Sequence, residues 1–452
     1  MNARMPGDTR RAIQVVAQCA KRLDGSPDDF EPLLARIGDA RVVMIGEASH
    51  GTHEFYRIRN EITKRLIAEF GFSAVAVEAD WPDAHRVNAF VQGISANEKD
   101  ATDALEGFRR FPQWMWRNAD VLDFVGWLRQ HNDAAPTTSK RVGFYGLDLY
   151  SMHASMAAVI DYLRAADPDA AQRARERYSC FDHFGDEPQV YGQATTLGIA
   201  ESCEREAVEQ LIEMQRLGAD RLRGDRHVDD ASQFVAEQNA RVVRNAERYY
   251  RAMFDRRSST WNLRDQHMMD TLTQLDRFLG RDGEPPRLIV WAHNSHIGDA
   301  RATDRATAGE HNIGQLARMA FGAHVVLVGF SSYDGTVTAA DDWGGPARRM
   351  TVRPALPESV EWLFHEAGHA ACYVDASGSA ELYDVLQQPR LARAIGVIYR
   401  PQTERQSHYY TVSLARQFDA VFHYDHSRAV EPLERVGAPV PDELPETYPS
   451  AL

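Results

Sequence analysis

Seven short runs of apolar, mostly β-branched residues recur along the chain, and longer segments of helical period separate them. The runs cover residues 41–45, 73–77, 141–145, 287–291, 324–328, 371–374 and 395–399. Because polar residues do not alternate within them, they are typical of strands buried on both faces of a parallel sheet. Strands that alternate with helices predict an α/β fold, with a largely parallel central sheet flanked by helices.

The stretch 151–284 interrupts this alternation. It contains no good strand, and its segments 202–223, 229–254 and 260–279 are charged and helical in pattern. We interpret it as a helical insertion that walls a cleft, inside one domain of residues 1–435. The alternative is that these helices only cover the sheet. The remaining residues, 436–452, are rich in proline, which favours a surface tail over a helix or central strand.

Composition narrows the class of protein without naming a reaction. Lysine and arginine number 51 and aspartate and glutamate 65, for a net charge of −14. This balance argues against nucleic acid or an anionic membrane as a partner, and it gives no oligomeric state. Neither a signal-peptide core nor an apolar run of bilayer length is present, so we expect a cytoplasmic protein. The four cysteines are scattered, which makes a disulfide scaffold or a thiolate metal site unexpected.

Carboxylates, histidines and aromatic residues follow four of the predicted strands. In chain order these are Glu47 and His50, then Glu78 and Trp81, then Asp148 and Tyr150, then His293 and His296. In open α/β sheets, ligands bind beyond the carboxyl ends of the strands. We therefore expect side chains that are far apart in sequence to converge at one edge of the sheet.

An arginine on an apolar helix face adds weight to this expectation. The helix after His50 should run from about Thr52, a plausible N-cap, to Phe70. Its apolar stripe consists of Phe55, Ile58, Ile62, Leu66 and Phe70. Arg59 falls within that stripe, and a buried arginine needs a carboxylate partner, for which Glu47 and Glu78 are candidates. The alternative is a structural ion pair that only orders the loop.

The chemistry of this set favours hydrolysis. The chain has no GxSxG elbow, no GxxxxGK loop and no GxGxxG fingerprint. His50 can act as a general base, with Glu47 or Glu78 orienting its ring and Arg59 or His293 stabilising an oxyanion. A metal site is the open alternative, in which His50, His293 and His296 join Glu47 or Glu78 to bind zinc, manganese or iron.

The segment His365-Glu366-Ala367-Gly368-His369 matches the HExxH pattern of zinc proteases literally. That motif needs both histidines on one face of a continuous helix. Gly368 and the apolar run at 371 predict that the helix ends before His369, so we set the motif aside.

Two aromatic clusters lie where a substrate pocket can form. The first contains Phe111, Trp114 and Trp116, and the second contains Tyr178, Phe181, Phe184 and Tyr191. Such clusters are more often core than ligand platforms, and together they raise the odds of an apolar pocket only modestly.

Several blocks of the chain together resemble the erythromycin esterase family. They are IGEASHGTHEFYRIRNEI, VAVEADWPDAHRVN, QWMWRN, GLDLYS, WAHNSHIGDAR, YRPQTERQSHYY and FDAVFHYDHSRAVEPL. The resemblance runs from about residue 30 to residue 435. It implies an α/β core with a helical bundle around a deep cleft, and hydrolysis of the macrolactone ester in the antibiotic-inactivating members.

The resemblance also assigns roles to individual residues. It implies that His50 activates water, and Glu47, Arg59, Glu78 and His293 match the family's functional positions. His296 matches the second histidine of the family's H-x-x-H block. Within or beside the quoted blocks, Asp148, Tyr150, Trp81, Trp116 and Arg117 are expected to support the site or bind substrate. We expect water attack without a metal or other cofactor on a small-molecule ester or lactone, whose identity does not follow.

Overall fold

The computed structural model describes residues 7–434, apart from residues 96, 186, 224–229, 256–258 and 282. The strands of this part of the chain are β1 (Lys21–Arg22), β2 (Val42–Ile45), β3 (Ala74–Asp80), β4 (Gly143–Asp148), β5 (Leu288–Trp291), β6 (Val325–Ala339), β7 (Arg348–Val352), β8 (Ala371–Asp375), β9 (Arg390–Arg393), β10 (Tyr409–Val412) and β11 (Ala420–Ser427). The predicted tail, 436–452, lies outside the described residues.

Helices account for most of the rest of the described chain. They are α1 (Gly7–Cys19), α2 (Glu31–Ile37), α3 (His53–Phe70), α4 (Trp81–Val91), α5 (Ala101–Leu105), α6 (Ala119–Asp133), α7 (Met152–Ala166), α8 (Pro168–Tyr178), α9 (Pro188–Thr196), α10 (Glu204–Arg223), α11 (Asp230–Met253), α12 (Thr260–Leu279), α13 (Asn294–Ile297), α14 (Ile313–Phe321), α15 (Val360–Glu366), α16 (Ala380–Leu386), α17 (Glu404–Ser407) and α18 (Leu414–Gln417). Each is at least one turn long, and none of those described is long and apolar enough to cross a membrane.

Nine of the described strands form one sheet in the order β1-β8-β11-β6-β2-β5-β3-β4, with β7 attached to β6. Pairing is parallel from β11 through β6, β2, β5 and β3 to β4. The strands β1, β7 and β8 pair antiparallel. The predicted α/β fold with a largely parallel sheet flanked by helices is therefore confirmed.

One predicted strand is absent from the structure, and five of the described strands, β1, β7, β9, β10 and β11, were not predicted. Residues 395–399 form only isolated bridges, through Ile395 to Ser49 and Ile398 to Ala340, so the strand predicted there is wrong. The run is apolar because its side chains are buried beside the edge of the sheet, not because it extends the sheet. In contrast, β11 lies inside the sheet although its sequence, AVFHYDHS, was not recognised as a strand. Its His423 and Asp425 interrupt the apolar pattern on which the prediction depended.

The sheet separates two apolar cores. Along β2, Val43 and Ile45 face one core, which includes Phe55 and Ile62 of α3. Val42 and Met44 face the other, which includes Leu272 of α12. All four residues of β2 are buried, as expected for a strand covered on both faces. This burial holds the carboxyl end of the strand, and the loop that follows it, in a defined position.

The stretch predicted as an insertion consists of the helices α7 to α12 in its described residues. These helices have an apolar core of their own, to which Tyr178, Phe181 and Tyr191 contribute. Most of the second aromatic cluster therefore packs inside the helical layer. A disulfide joins Cys180 to Cys203 in this layer, a pairing that the scattered cysteines did not predict. Cys19 and Cys372 are free, so the bond is not part of a disulfide scaffold.

Candidate active site

The carboxyl ends of β2, β5, β3 and β4 lie side by side, because these strands are parallel neighbours in that order. The loops after β2, β3 and β4 border a cleft with a volume of about 740 Å³. Six of the predicted residues line it: His50, Glu78, Phe111, Trp116, Asp148 and Tyr150. The loop after β5 lies behind this lining, where His293 contacts His50 and Glu78. The expected convergence of strand-end residues is therefore present.

His50 is held by a carboxylate behind it. Its Nδ1 lies 2.8 Å from Oε1 of Glu47, which is fully buried. A buried carboxylate at this distance accepts the Nδ1–H and leaves the lone pair of Nε2 to the cleft. The backbone carbonyl of His50 accepts a hydrogen bond of 2.9 Å from the hydroxyl of Tyr56, which further orders the loop.

Arg59 lies behind Glu47 and has no solvent exposure. Its Nη1 is 3.2 Å from Oε2 of Glu47. The guanidinium carbon lies 4.5 Å from the ring centre of Tyr56 and 4.7 Å from that of Trp291, so the cation is packed between two aromatic rings. The helix-wheel prediction of a core-facing arginine is confirmed, and its carboxylate partner is Glu47.

His293 stands beside His50, with ring centres 4.9 Å apart. Its Nδ1 accepts the backbone N–H of Ser295 at 3.2 Å, which places the ring proton on Nε2. That Nε2 is buried and has no hydrogen-bond partner among the described residues. Burial and the neighbouring His50 lower the pKa of His293 well below its ordinary value, so the ring is neutral.

Glu78 links two loops of the site to the helical layer. Its Oε2 accepts the backbone N–H of His293 at 2.8 Å, and its Oε1 accepts Nη2 of Arg264 at 2.7 Å. Burial alone would raise the pKa of Glu78, but the neighbouring His296 and Arg264 outweigh it and lower the pKa far below its ordinary value. Glu78 is therefore an ionised carboxylate with both oxygens engaged.

Arg264, on α12, is the centre of this second cluster. Its Nε and Nη2 donate to the two oxygens of Asp148 at 3.0 and 2.6 Å, and its Nη1 lies 3.1 Å from Nε2 of His296. His296 in turn places Nδ1 2.9 Å from a carboxylate oxygen of Asp265. The ring of Trp261 stacks on His296 with centres 4.3 Å apart. His296 thus supports Arg264 from behind the cleft.

The opposite part of the cleft combines aromatic rings with carboxylates. Phe108, Phe111, Trp116 and Trp343 line it together with Asp80, Asp83 and Arg110. Asp80 lies 3.0 Å from Nη1 of Arg110. Burial, together with the charge of Asp80, raises the pKa of Asp83 to about 7. The surface of this wall is therefore mostly apolar, with a few polar groups held in fixed positions.

Some predicted residues lie away from the cleft. Trp81 is buried against Tyr145 and Phe234, with ring centres 6.1 and 5.9 Å away, and belongs to the core on one face of the sheet. Arg117 forms an ion pair with Glu434, and its backbone carbonyl accepts the N–H of Leu433. It therefore connects the loop that carries Trp116 to the end of the described chain.

The HExxH segment forms no convergent pair of ligands. α15 ends at Glu366, and Gly368 has a positive φ of 83°. His365 Nδ1 contacts Asp425 at 3.1 Å, whereas His369 Nε2 contacts the carbonyl of Ala17 at 3.1 Å. The prediction that the helix ends before His369 is confirmed.

Sequence reasoning missed Arg264 and Asp265. The signal was available, because Arg264 shares a helical face with Met268 and Leu272, both of which are buried. A charged residue on such a stripe is the same feature that singled out Arg59.

The arrangement of charges around the site does not favour the alternative of a metal site. The carboxylates of Glu47 and Glu78 already contact the guanidinium groups of Arg59 and Arg264. His296 is engaged by Asp265 on one side and Arg264 on the other. Over the described residues, no group of three or more histidine, cysteine, aspartate or glutamate side chains is arranged to hold a metal ion.

Two solved structures share this fold. A Bacillus cereus protein superimposes with a TM-score of 0.75 at 19% identity, covering 95% of this chain and 100% of that one. The erythromycin esterase EreC, a histidine-to-asparagine mutant in its open conformation, gives a TM-score of 0.64 at 17% identity, with coverage of 89% and 94%. Identities this low show a common fold alone.

Sequence comparisons identify the family. Erythromycin esterase type II of Escherichia coli is 30% identical over 151 residues, which are 32% of this chain and 33% of that protein. The alignment thus spans about a third of the length of that curated relative. The family model described as erythromycin esterase matches residues 67–427, a range that includes Glu78, Asp148, Arg264 and His293. Because that match covers well over half of the chain, the chain belongs to the erythromycin esterase family.

Proposed function

We propose that this protein is a hydrolase that cleaves a carboxylic ester or lactone by direct attack of water. The observation that carries the proposal is the pairing of His50 with the buried Glu47 at 2.8 Å, in a ring that also lines the cleft. A histidine oriented by a carboxylate in this way is placed to accept a proton from water. The proposal agrees with membership of the esterase family.

In the proposed reaction, Nε2 of His50 takes a proton from water while the water oxygen bonds to the acyl carbon. The electron pair of the carbonyl double bond moves to its oxygen, which becomes an oxyanion. When that pair returns, the bond to the leaving alkoxide breaks, and the alkoxide takes the proton from His50. The products are an acid and an alcohol, and no covalent intermediate forms with the protein.

Glu47 and His293 have complementary roles in this scheme. Glu47 keeps the Nδ1–H of His50 in place and stabilises the imidazolium, while Arg59 holds the Glu47 side chain in position. The buried Nε2–H of His293 has no described partner, and it lies next to His50. An unpaired buried donor at this place is suited to an oxyanion, because its hydrogen bond is made only in the transition state.

A macrolide is one candidate substrate among lactones. The name of the Escherichia coli relative supports it, and so does the aromatic wall formed by Phe108, Phe111, Trp116 and Trp343. Large apolar ligands bind to such walls by burying apolar surface area, while a few polar groups set their orientation. Macrolides of different ring size therefore belong in the substrate panel beside aryl esters and small lactones.

The test is a panel of aryl esters, small lactones and macrolides, assayed with the wild type and with His50→Gln. We expect wild-type turnover of at least one compound and a loss of about 10²- to 10⁴-fold in kcat for the variant, since a general base contributes that much. His53→Gln is the matched control, because His53 lies three residues away, is partly exposed and pairs with Asp120. Its activity should stay at the wild-type level.

Two outcomes would change the proposal. Wild-type rates in a folded His50→Gln protein would exclude His50 as the base. Activity that disappears after chelation and returns with zinc or manganese would favour the metal-dependent hydrolase instead. We expect chelation to leave the rate unchanged, because Arg59 and Arg264 already balance the carboxylates of Glu47 and Glu78.

A further inference from the structure

Arg59 and Arg264 both lie near His50 at the carboxyl edge of the sheet, and of these two only Arg264 borders the cleft, which Arg110 lines from the opposite wall. Arg59 is fully buried and packed between two aromatic rings behind Glu47. Arg264 lines the cleft together with His50. Although the side chain of Arg264 is only 8% exposed, it belongs to the surface that a bound substrate would touch. A cationic contact with substrate can therefore come from Arg264 but not from Arg59.

The donor inventory of Arg264 leaves one N–H over. A guanidinium has five N–H groups, and three of them meet carboxylate oxygens here. Nε and one hydrogen of Nη2 bind Asp148, and the second hydrogen of Nη2 binds Glu78. Nη1 lies 3.1 Å from Nε2 of His296, and it binds no carboxylate or carbonyl oxygen among the described residues, so at least one of its N–H groups is left over. The three partners fix the plane of the group, so this last donor has a defined direction.

From this geometry we propose that Arg264 is a catalytic residue, whose Nη1–H binds the acyl oxygen of the substrate. The inference rests on the proposed ester hydrolysis. It makes Arg264 a second hydrogen-bond donor to the oxyanion, beside His293. As water adds to the acyl carbon, the oxygen receives the carbonyl electron pair and its hydrogen bond to Nη1 strengthens. When the alkoxide leaves, the pair returns to the carbonyl bond. Arg264 keeps its proton throughout and forms no bond to the substrate.

Arg264 is suited to this task because it is charged and fixed in place before substrate binds. Burial alone would lower the pKa of Arg264, but Asp148 and Tyr150 outweigh it and raise the pKa well above its ordinary value. The ring of Tyr150 lies 5.0 Å from the guanidinium carbon and covers one face of it. Donors held in this way need no reorganisation at the moment of reaction, which is what makes them effective for a developing oxyanion.

The test changes both the protein, at Arg264, and the substrate, at its carbonyl oxygen. The aryl ester that the wild type hydrolyses fastest is paired with its thionoester, in which sulfur replaces the carbonyl oxygen and accepts hydrogen bonds poorly. The two kcat/KM values are measured on one preparation, so their ratio does not depend on the fraction of protein that is folded. We expect the ester-to-thionoester ratio to fall at least about 10-fold in Arg264→Lys and Arg264→Gln, since one oxyanion donor contributes ~10²- to 10³-fold.

Arg110→Lys is the matched control, because Arg110 also lines the cleft and pairs with a carboxylate, Asp80. Its ratio should equal that of the wild type. An unchanged ratio in the Arg264 variants would overturn the inference while leaving ester hydrolysis intact, because a purely supporting arginine would slow both substrates equally. A wild type that hydrolyses no ester or lactone would overturn the proposed function and this inference with it.

Variants too slow for kinetics are tested by calorimetric binding of the matching phosphonate monoester, which imitates the oxyanion, and of the matching amide. We expect the phosphonate to bind at least about 10-fold more weakly to Arg264→Gln than to the wild type, with the amide unaffected. Equal phosphonate affinity in the two proteins would overturn the inference.

Discussion

Glu47 is the residue that holds the proposed base, His50, and the buried Arg59 together. One of its oxygens holds His50 and the other faces Arg59, while its backbone carbonyl accepts the N–H of Asn294 at 2.8 Å. The side chain is fully buried, so its charge is tolerated only because both partners are present. Stability and catalysis are therefore linked at this residue.

A pair of variants separates the contribution of Glu47 to stability from its contribution to catalysis. Arg59→Met leaves the buried carboxylate of Glu47 without its cation, and we expect it to lower the free energy of unfolding by about 3–5 kcal/mol. Adding Glu47→Gln removes the uncompensated charge and should restore much of the stability. Urea unfolding and initial rates measure the two properties. Recovery of activity along with stability in the double variant would contradict the role of Glu47 in orienting His50.

Individual residues could be predicted from the sequence where a local pattern pointed to them. Arg59 was found because a charge interrupts an apolar helix face, and the four strand-end sets were found because parallel strands end at one edge. Arg264 has the same local signal on α12 and was overlooked. Its partners Glu78 and Asp148 are 186 and 116 residues away, so no local pattern could have identified them. Trp81 was expected near substrate because it follows β3, but the direction of its side chain depends on the start of α4.

At the level of elements, the turn between β2 and α3 places the proposed base. Gly51, directly after His50, accepts backbone hydrogen bonds from Thr338 and Val430 at 3.0 and 2.9 Å. A Cβ added to Gly51 would lie 1.8 Å from the carbonyl oxygen of Thr338, which belongs to β6. Only glycine lets the two backbones approach this closely.

Gly51→Ala should therefore displace the loop that carries His50. We expect a loss of about 1–3 kcal/mol in the free energy of unfolding, as for other overpacked sites, and a larger proportional fall in kcat/KM. Gly126→Ala is the control, since its Cβ would meet nothing within 4 Å inside α6. Alanine there should raise the stability by up to about 1 kcal/mol. Wild-type kcat/KM in Gly51→Ala would show that the close approach does not position His50.

The elements that sequence patterns predicted are those buried on both faces. β2 and its parallel neighbours read as uninterrupted apolar runs because helices cover both sides of them. β11 was missed because His423 and Asp425 pair with Ser331 and His365, so a polar cluster lies inside the sheet where an apolar pattern was expected. Residues 395–399 show the reverse case, an apolar run that is buried without being a strand.

Across the whole molecule, buried neutral histidines make stability depend on pH. His267 of α12 is buried, and its Nδ1 lies 2.6 Å from Nδ2 of Asn245. Burial lowers the pKa of His267 from 6.5 to about 4. Between these values the unfolded chain binds the proton that the folded protein excludes. The stabilising contribution is therefore complete above pH 6.5 and is lost as the pH falls towards about 4.

His267→Gln should flatten this dependence. Between pH 7 and pH 5, the wild type is expected to lose ~2 kcal/mol more stability than the variant, from a shift worth about 1.4 kcal/mol per pKa unit. Urea unfolding of both proteins at the two pH values measures the difference. Parallel losses in the two proteins would show that His267 does not carry the effect.

The arginine of α12 also sets a constraint on how the chain acquires its activity. The contacts of Arg264 with Asp148 and Glu78 close loops of 116 and 186 residues, whereas His50 and Glu47 are three residues apart. Contacts of such high sequence separation form late, because ordering the intervening chain must precede them. In a refolding or newly synthesised chain, the base and its carboxylate can meet early, but the cleft is complete only when α12 docks. No fragment that stops before α12 contains the whole site.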